Sequence, residues 1–229
     1  MPADLEVTGS SKFKRQALAG QVADELRRRI YSGEFKEGTQ LMQEQLAAEF
    51  GISKVPVREA LFQLEAEGLV TQQYHRGAIV AKMSSEQLYE IFEVRTQIEM
   101  WLLGLAMGKA SRKDVASARA LAAEFGEMAD PVQSWDLNWR FHEALYRPSG
   151  KPHAIEHLRK LHSQTARFLR LQYDLALTKA EIVKEHEQLL DAFEAKSPAA
   201  IELLREHILC AAAKLAERLG NLAGAGNEP

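Results

Sequence analysis

The chain has 229 residues, 46% of them hydrophobic and 27% charged, with a formal net charge of −3. This composition excludes a disordered chain and a bulk-basic nucleic-acid binder, so any contact with DNA has to come from a local patch. The lone cysteine, Cys210, excludes an intrachain disulfide; with no apolar signal core at the start, and only a short apolar run around Met100 to Met107, the expectation is a cytoplasmic protein with no membrane partner.

Residues 1–12 are polar and read as a frayed tail. From Phe13 to Tyr31 the pattern is helical, with Val22, Leu26 and Ile30 four apart and Ala19 and Ala23 beside them. Arg27, Arg28 and Arg29 fall at its C-terminal end, where cations suit the helix dipole, and at least two of them read as a solvated helix end. A loop through Ser32-Gly33 and Glu37-Gly38-Thr39 leads to a second helix, Gln43 to Phe50, with Leu46, Ala47 and Phe50 inward.

Gly51 to Leu69 then reads as a sharp turn and a third short helix. Gly51 takes the left-handed conformation that ends a helix, the Ser53 hydroxyl caps the next one, and Pro56 is tolerated in the first turn. Val57, Leu61 and Leu64 mark a buried face, Lys54 and Arg58 share a different one, and Gly68 closes the helix. A short helix with a cationic front end, behind another short helix and a glycine turn, is how a helix-turn-helix enters a major groove. Val70–Gln73 and Ala78–Ala81 are β-prone runs around a Tyr74-His75-Arg76-Gly77 turn, so a hairpin follows, with Arg76 at its tip. Three helices and a hairpin make a winged helix.

Over residues 14–82 the chain resembles the winged-helix domain of the GntR family of bacterial transcription regulators. The resemblance lies in Leu46-Ala47, Gly51-Ile52-Ser53, Pro56-Val57-Arg58-Glu59-Ala60-Leu61, Leu64-Glu65, Glu67-Gly68-Leu69 and Arg76-Gly77. It implies DNA contact by Ser53, Lys54, Val55 and Arg58 from the recognition helix, and by Arg76 and Gly77 from the wing. The implied partner is double-stranded DNA, an operator of two-fold symmetry read by a homodimer.

Met83 to Ser85 reads as a linker, with Ser84 or Ser85 capping the next helix. Residues 86–222 read as about six helices with no strand signal, a helical bundle, before a tail at 223–229. Breaks fall at 109–112, 129–131, 148–152, 177–178 and 196–198. Ser111-x-x-Asp114 and Thr178-x-x-Glu181 look like caps, and Pro131, Pro152 and Pro198 sit at helix starts. The fold class is therefore mainly α: an N-terminal winged helix-turn-helix over 13–82 and a C-terminal all-α bundle.

Three helices of the bundle each carry one histidine on an apolar face. The faces are Asn138, Phe141, His142 and Leu145; Ile182, His186, Leu189, Leu190 and Phe193; and Leu204, His207, Ile208 and Ala211. A single inward histidine is commonly a hydrogen-bonded core residue. Three, with the amide oxygen of Asn138 one turn before His142, suit a divalent ion such as Zn²⁺ or Ni²⁺. His75, His153, His157 and His162 show no such pattern. Arg95 lies on an inward face with Ile91, Val94, Ile98 and Leu102, where a buried cation needs a partner. Glu99, one turn on, is one candidate; a ligand carboxylate is the other.

Asn138-x-x-x-His142, His186 within EHEQLLDAF, His207 within ELLREHIL, and Phe92-Glu93-Val94-Arg95 with Glu99 resemble the FCD effector domain of one GntR subfamily, in its six-helix metal-binding branch. That resemblance implies Asn138, His142, His186 and His207 as ligands of a divalent metal (Zn, Ni or Mn), with asparagine where aspartate is commoner. It implies Arg95 as the contact for a small organic acid effector. The expected function is a ligand-responsive transcription regulator and not an enzyme. The alternative is a metal-dependent hydrolase with an attached DNA-binding domain, against which the sequence places no evident general base beside the histidines.

Overall fold

The structure, a computed structural model, describes residues 8–73, 77–173 and 176–225, with side chains for 16–73, 77–130, 132–166 and 179–217. The described residues divide into two compact units, with the boundary between Lys82 and Met83.

The first unit is a winged helix. Its elements are α1 (Thr8–Tyr31), β1 (Gln40–Leu41), α2 (Gln43–Phe50), α3 (Lys54–Ala66), β2 (Val70–Gln73) and β3 (Gly77–Val80). α1 starts five residues before the expected Phe13. Val22, Leu26 and Ile30 of α1 and Val57, Leu61 and Leu64 of α3 are buried, and the two helices pack together. Burying each such leucine or isoleucine contributes roughly 1.5–3 kcal/mol before the entropy cost of ordering is deducted.

Both glycine stops work as helix terminators. Gly51 has φ 65°, its N–H donates to the Ala48 carbonyl, and the Ile52 N–H reaches back to Ala47. Gly68, at φ 74°, repeats the arrangement with Glu65 and Leu64. In each case a left-handed residue lets the chain satisfy carbonyls that the helix leaves open. The expected Ser53 cap is absent: Ser53 occupies the N-cap position in extended backbone, but its side chain makes no capping hydrogen bond.

The sheet holds a strand that the sequence did not reveal. β1 pairs antiparallel with β3 (Gln40↔Ile79, Leu41↔Ala78), and β3 pairs with β2 in the expected hairpin (Val70↔Val80, Gln73↔Gly77). Two residues are too short for an alternating pattern, so residues 37–41 look like loop until β3 lies beside them. Gly77 is where the backbones close in. Its φ is 96°, and a Cβ there would stand 2.1 Å from the Leu41 carbonyl oxygen.

The arginine run is structural. Arg27 grips Glu67 through two hydrogen bonds of 2.9 and 2.6 Å, Arg28 bonds Glu25, and Arg29 bonds Glu25 and Glu49. The Glu49 and Glu67 pairs tie α1 to α2 and to the end of α3.

The second unit contains six helices among the described residues: α4 (Ser85–Met107), α5 (Arg112–Glu127), α6 (Pro131–Tyr146), α7 (Pro152–Tyr173), α8 (Ala176–Glu194) and α9 (Ala199–Ala225), with a short 3₁₀ turn at Arg147–Ser149. Ser84 with Gln87 and Ser111 with Asp114 form reciprocal capping boxes, and Asp130 caps α6 ahead of Pro131. Thr178 does not start a helix, because α8 already begins at Ala176. Glu181, its supposed capping partner, instead accepts from Lys214 of α9. α4 packs on α6, α7 and α9, while α5 packs on α6 and α8 and α8 packs on α9, so the inward faces of α4, α6, α8 and α9 meet within one bundle.

Candidate functional site

Three bundle helices deliver one imidazole each to one place. The ring centroids of His142 (α6), His186 (α8) and His207 (α9) are 5.3, 5.2 and 5.1 Å apart pairwise, and one nitrogen from each lies within 4.8 Å of the others. Helical spacing turns each inward, one turn from large apolar residues that anchor its helix, and the packing of the helices brings the rings together. Phe141 stacks on the His186 ring at 4.1 Å and Phe125 tilts against it at 5.3 Å.

His142 and His186 are buried, and burial, helped by the charge of the neighbouring histidines, pushes both well below the ordinary histidine value. They are neutral imidazoles at neutral pH, the form that ligates metals. Neither ring nitrogen of His186 has a hydrogen-bond partner among the described residues, although both are fully buried. An unpaired buried polar atom costs about 1–3 kcal/mol. One of the two His186 nitrogens, within 4.8 Å of a nitrogen on each of two more imidazoles, fits a divalent ion of the zinc or nickel type, which takes nitrogen donors. Asn138 lies one turn before His142 on α6 and is partly buried.

Each of the other two histidines has a side-chain partner. Glu185 of α8 places Oε2 2.6 Å from Nδ1 of His207. Tyr146, four residues after His142, donates its hydroxyl proton to Glu99 Oε2 at 2.6 Å, and its oxygen lies 3.3 Å from His142 Nδ1. Burial and the Glu99 charge raise Tyr146 well above the ordinary tyrosine value, so it stays a phenol. With its proton given to Glu99, the phenol can only accept from His142, which puts the imidazole proton on Nδ1 and the lone pair on Nε2. The helical spacing of His142 and Tyr146 was visible in the sequence, whereas Glu185 points sideways from a helix whose apolar face carries His186.

Arg95 and Glu99 pair, as one of the two sequence alternatives holds. Nε of Arg95 donates to Glu99 Oε1 at 3.0 Å and Nη1 to the Thr165 hydroxyl at 3.3 Å, with the guanidinium 4.7 Å over Phe92. Both side chains are buried, and a chain of contacts runs Arg95–Glu99–Tyr146–His142 from α4 to the histidine cluster. Nη2 of Arg95 makes no hydrogen bond among the described residues, so one edge of the guanidinium is unengaged. His162, which showed no sequence pattern, is also buried: it stacks on Trp135 at 3.7 Å and tilts against Trp139.

In the first unit, Lys54, Arg58, Phe62, Gln72 and Gly77 line a concave cleft of about 690 Å³. Arg58 is exposed at the front of α3 and has no ion-pair partner among the described residues. Lys54 is exposed but bonded to Glu44. Ser53 is exposed and Val55 half-buried. Gly77 is buried against β1, and Arg76 lies outside the described residues. No helix of the described residues is long and apolar enough to cross a membrane.

Known proteins share both units. A model of the bacterial regulatory proteins of the gntR family matches residues 18–80, and a model of the FCD domain matches residues 90–209. The chain is 28% identical over 194 residues to the HTH-type transcriptional regulator McbR of Escherichia coli (strain K12), covering 82% of this chain and 87% of that one. It is 29% identical over 197 residues to the HTH-type transcriptional repressor GlaR of the same organism, covering 80% and 89%. The solved structure of E. coli McbR/YncC superposes with a TM-score of 0.71 at 26% identity, over 88% of this chain and 98% of that one.

Proposed function

Because the chain belongs to the gntR family of bacterial regulatory proteins and carries an FCD domain, we propose that it is a DNA-binding transcription regulator whose bundle binds a divalent metal and a small carboxylate. Its winged helix contacts an operator through Lys54 and Arg58, with Ser53, Val55, Arg76 and Gly77 beside them. As a cytoplasmic homodimer it reads a two-fold site. Zn²⁺, Ni²⁺ or Mn²⁺ is held by His142, His186 and His207 with the Asn138 oxygen. Bound there, the ion supplies a Lewis-acid position for one oxygen of the effector.

The observation that carries this reading is buried His186, whose two ring nitrogens lack partners among the described residues and one of which lies within 4.8 Å of a nitrogen on each of two other imidazoles. Arg95, on the helix that follows the linker directly, offers its unengaged Nη2 edge to a ligand carboxylate. An effector held by both α4 and the histidine helices shifts operator affinity only through its unequal affinity for two arrangements, typically about 1–3 kcal/mol. The hydrolase alternative gains nothing from Glu185: that carboxylate is occupied by the His207 ring and is not a free base.

The test is elemental analysis of the purified protein, then operator binding titrated with mono- and dicarboxylates, with and without metal. Bound metal and a metal-dependent response to one acid are expected. A protein that takes up no metal, and whose melting temperature ignores added Zn²⁺, Ni²⁺ and Mn²⁺, refutes the metal. Arg95→Ala alone is a poor probe of the effector contact, since it strands Glu99 in the core at about 3–5 kcal/mol. Arg95→Met with Glu99→Gln removes the clamp without leaving a buried charge, and a response surviving in it at the same acid concentration refutes the Arg95 contact.

A further inference from the structure

The three imidazoles are not held alike. His186 has no hydrogen-bond partner among the described residues, His142 leans on a phenol, and His207 meets a carboxylate directly, with Nδ1 2.6 Å from Glu185 Oε2. A carboxylate can only accept, so the proton of a neutral His207 ring sits on Nδ1 and Nε2 is left with the lone pair. The two side chains come from different helices, α8 and α9, so the contact exists only in the folded bundle. We propose that Glu185 is a positioning residue of the metal centre: it fixes the His207 tautomer and ring orientation, and makes Nε2 the stronger donor to the ion.

The proposal rests on the metal-binding reading above and adds a residue to it. Carboxylates behind metal-bound histidines raise the basicity of the ligating nitrogen and stop the ring from rotating away, and losing one typically costs about 10–100-fold in metal affinity. The competing explanation is that Glu185 merely ties α8 to α9. The fold contains a control for that. Glu181, one turn earlier on α8, bonds Lys214 of α9 at 3.0 Å on the exposed surface. It joins the same two helices and touches no histidine. His207 is the most exposed of the three rings, with 11% of its side chain accessible, so it has most to gain from an external anchor.

The experiment uses the full chain and metal alone. Zinc affinity is measured by competition with a chromophoric chelator for wild type, Glu185→Ala, Glu185→Gln and Glu181→Ala. Co²⁺ absorption spectra report the ligand field of each. We expect Glu185→Ala to lose about 10–100-fold in affinity and to change the Co²⁺ spectrum. Glu185→Gln should fall between, because its amide oxygen still accepts from Nδ1–H without the charge. Glu181→Ala should match wild type. Wild-type affinity and spectrum in Glu185→Ala overturn the proposal, as does an equal loss in Glu181→Ala, which assigns the effect to helix packing. Should Glu185→Ala fail to fold, Glu185→Gln, which keeps the shape of the side chain, carries the same comparison. A wild type that binds neither ion sinks the metal reading itself, an outcome distinct from binding that Glu185 does not influence.

Discussion

Replacing His186 with leucine separates metal binding from folding, because the two respond with opposite signs. In the metal-free protein the ring is fully buried between Phe141 and Phe125, and both of its nitrogens lack partners among the described residues. Each unpaired polar atom costs about 1–3 kcal/mol. Leucine is close in volume and removes both, while imperfect repacking returns less than about 1.5 kcal/mol. The metal-free bundle should therefore gain stability, by about 0.5–6 kcal/mol on these figures. For a unit of this size that raises its melting temperature by roughly 2–4 °C per kcal/mol. Metal acts in the opposite direction. A ligand present at a hundred times its Kd stabilises the wild type by about 2.7 kcal/mol, and a site missing one imidazole forfeits most of that. Calorimetry in chelator and then in excess Zn²⁺ measures both quantities on both proteins. If His186→Leu is less stable than wild type in chelator, the ring nitrogens have partners after all, and if it keeps the full zinc shift, His186 is not a ligand.

Three other outcomes are expected. Arg58→Ala should weaken operator binding by about 1–3 kcal/mol and flatten its salt dependence, read by fluorescence anisotropy at several ionic strengths; an unchanged slope in a folded variant removes Arg58 from the interface. Gly77→Ala should lower the stability of the winged helix and disrupt β1–β3 pairing, since its Cβ meets the Leu41 carbonyl at 2.1 Å, and amide exchange at Leu41 and Ala78 would expose an unperturbed sheet. His142, His162 and His186 are all held well below the ordinary histidine value, foremost by burial. The unfolded chain then binds more protons than the folded one, so this contribution to stability is present above pH 6.5 and is lost as pH falls below it towards the folded values. Melting of the metal-free protein from pH 7.5 to 5 should show that loss, and His162→Leu should make it shallower; an equal slope in that variant contradicts a neutral, buried His162.

Features that obey local rules were legible from the order of residues. Left-handed glycines at 51 and 68 stop helices wherever they stand, and Ser84 and Ser111 cap because their partners lie three residues on. Apolar residues four apart put His142, His186 and His207 on inward faces, since helical periodicity turns spacing into direction. Which side chains meet depended on packing between distant segments. Ser53 has the residue type of a cap and makes no cap bond, and Thr178 falls inside a helix that begins at Ala176. β1 exists only because β3 lies beside it. Arg27 and Arg29 of the arginine run answer carboxylates 40 and 20 residues away. Spacing left two partners open for Arg95, and burial beside Glu99 supplied one. Glu185 reaches His207 across a helix interface 22 residues apart in the chain. A helix sets the direction of each side chain from its own few neighbours, but the atom at the far end of that direction belongs to another segment, and only packing brings it there.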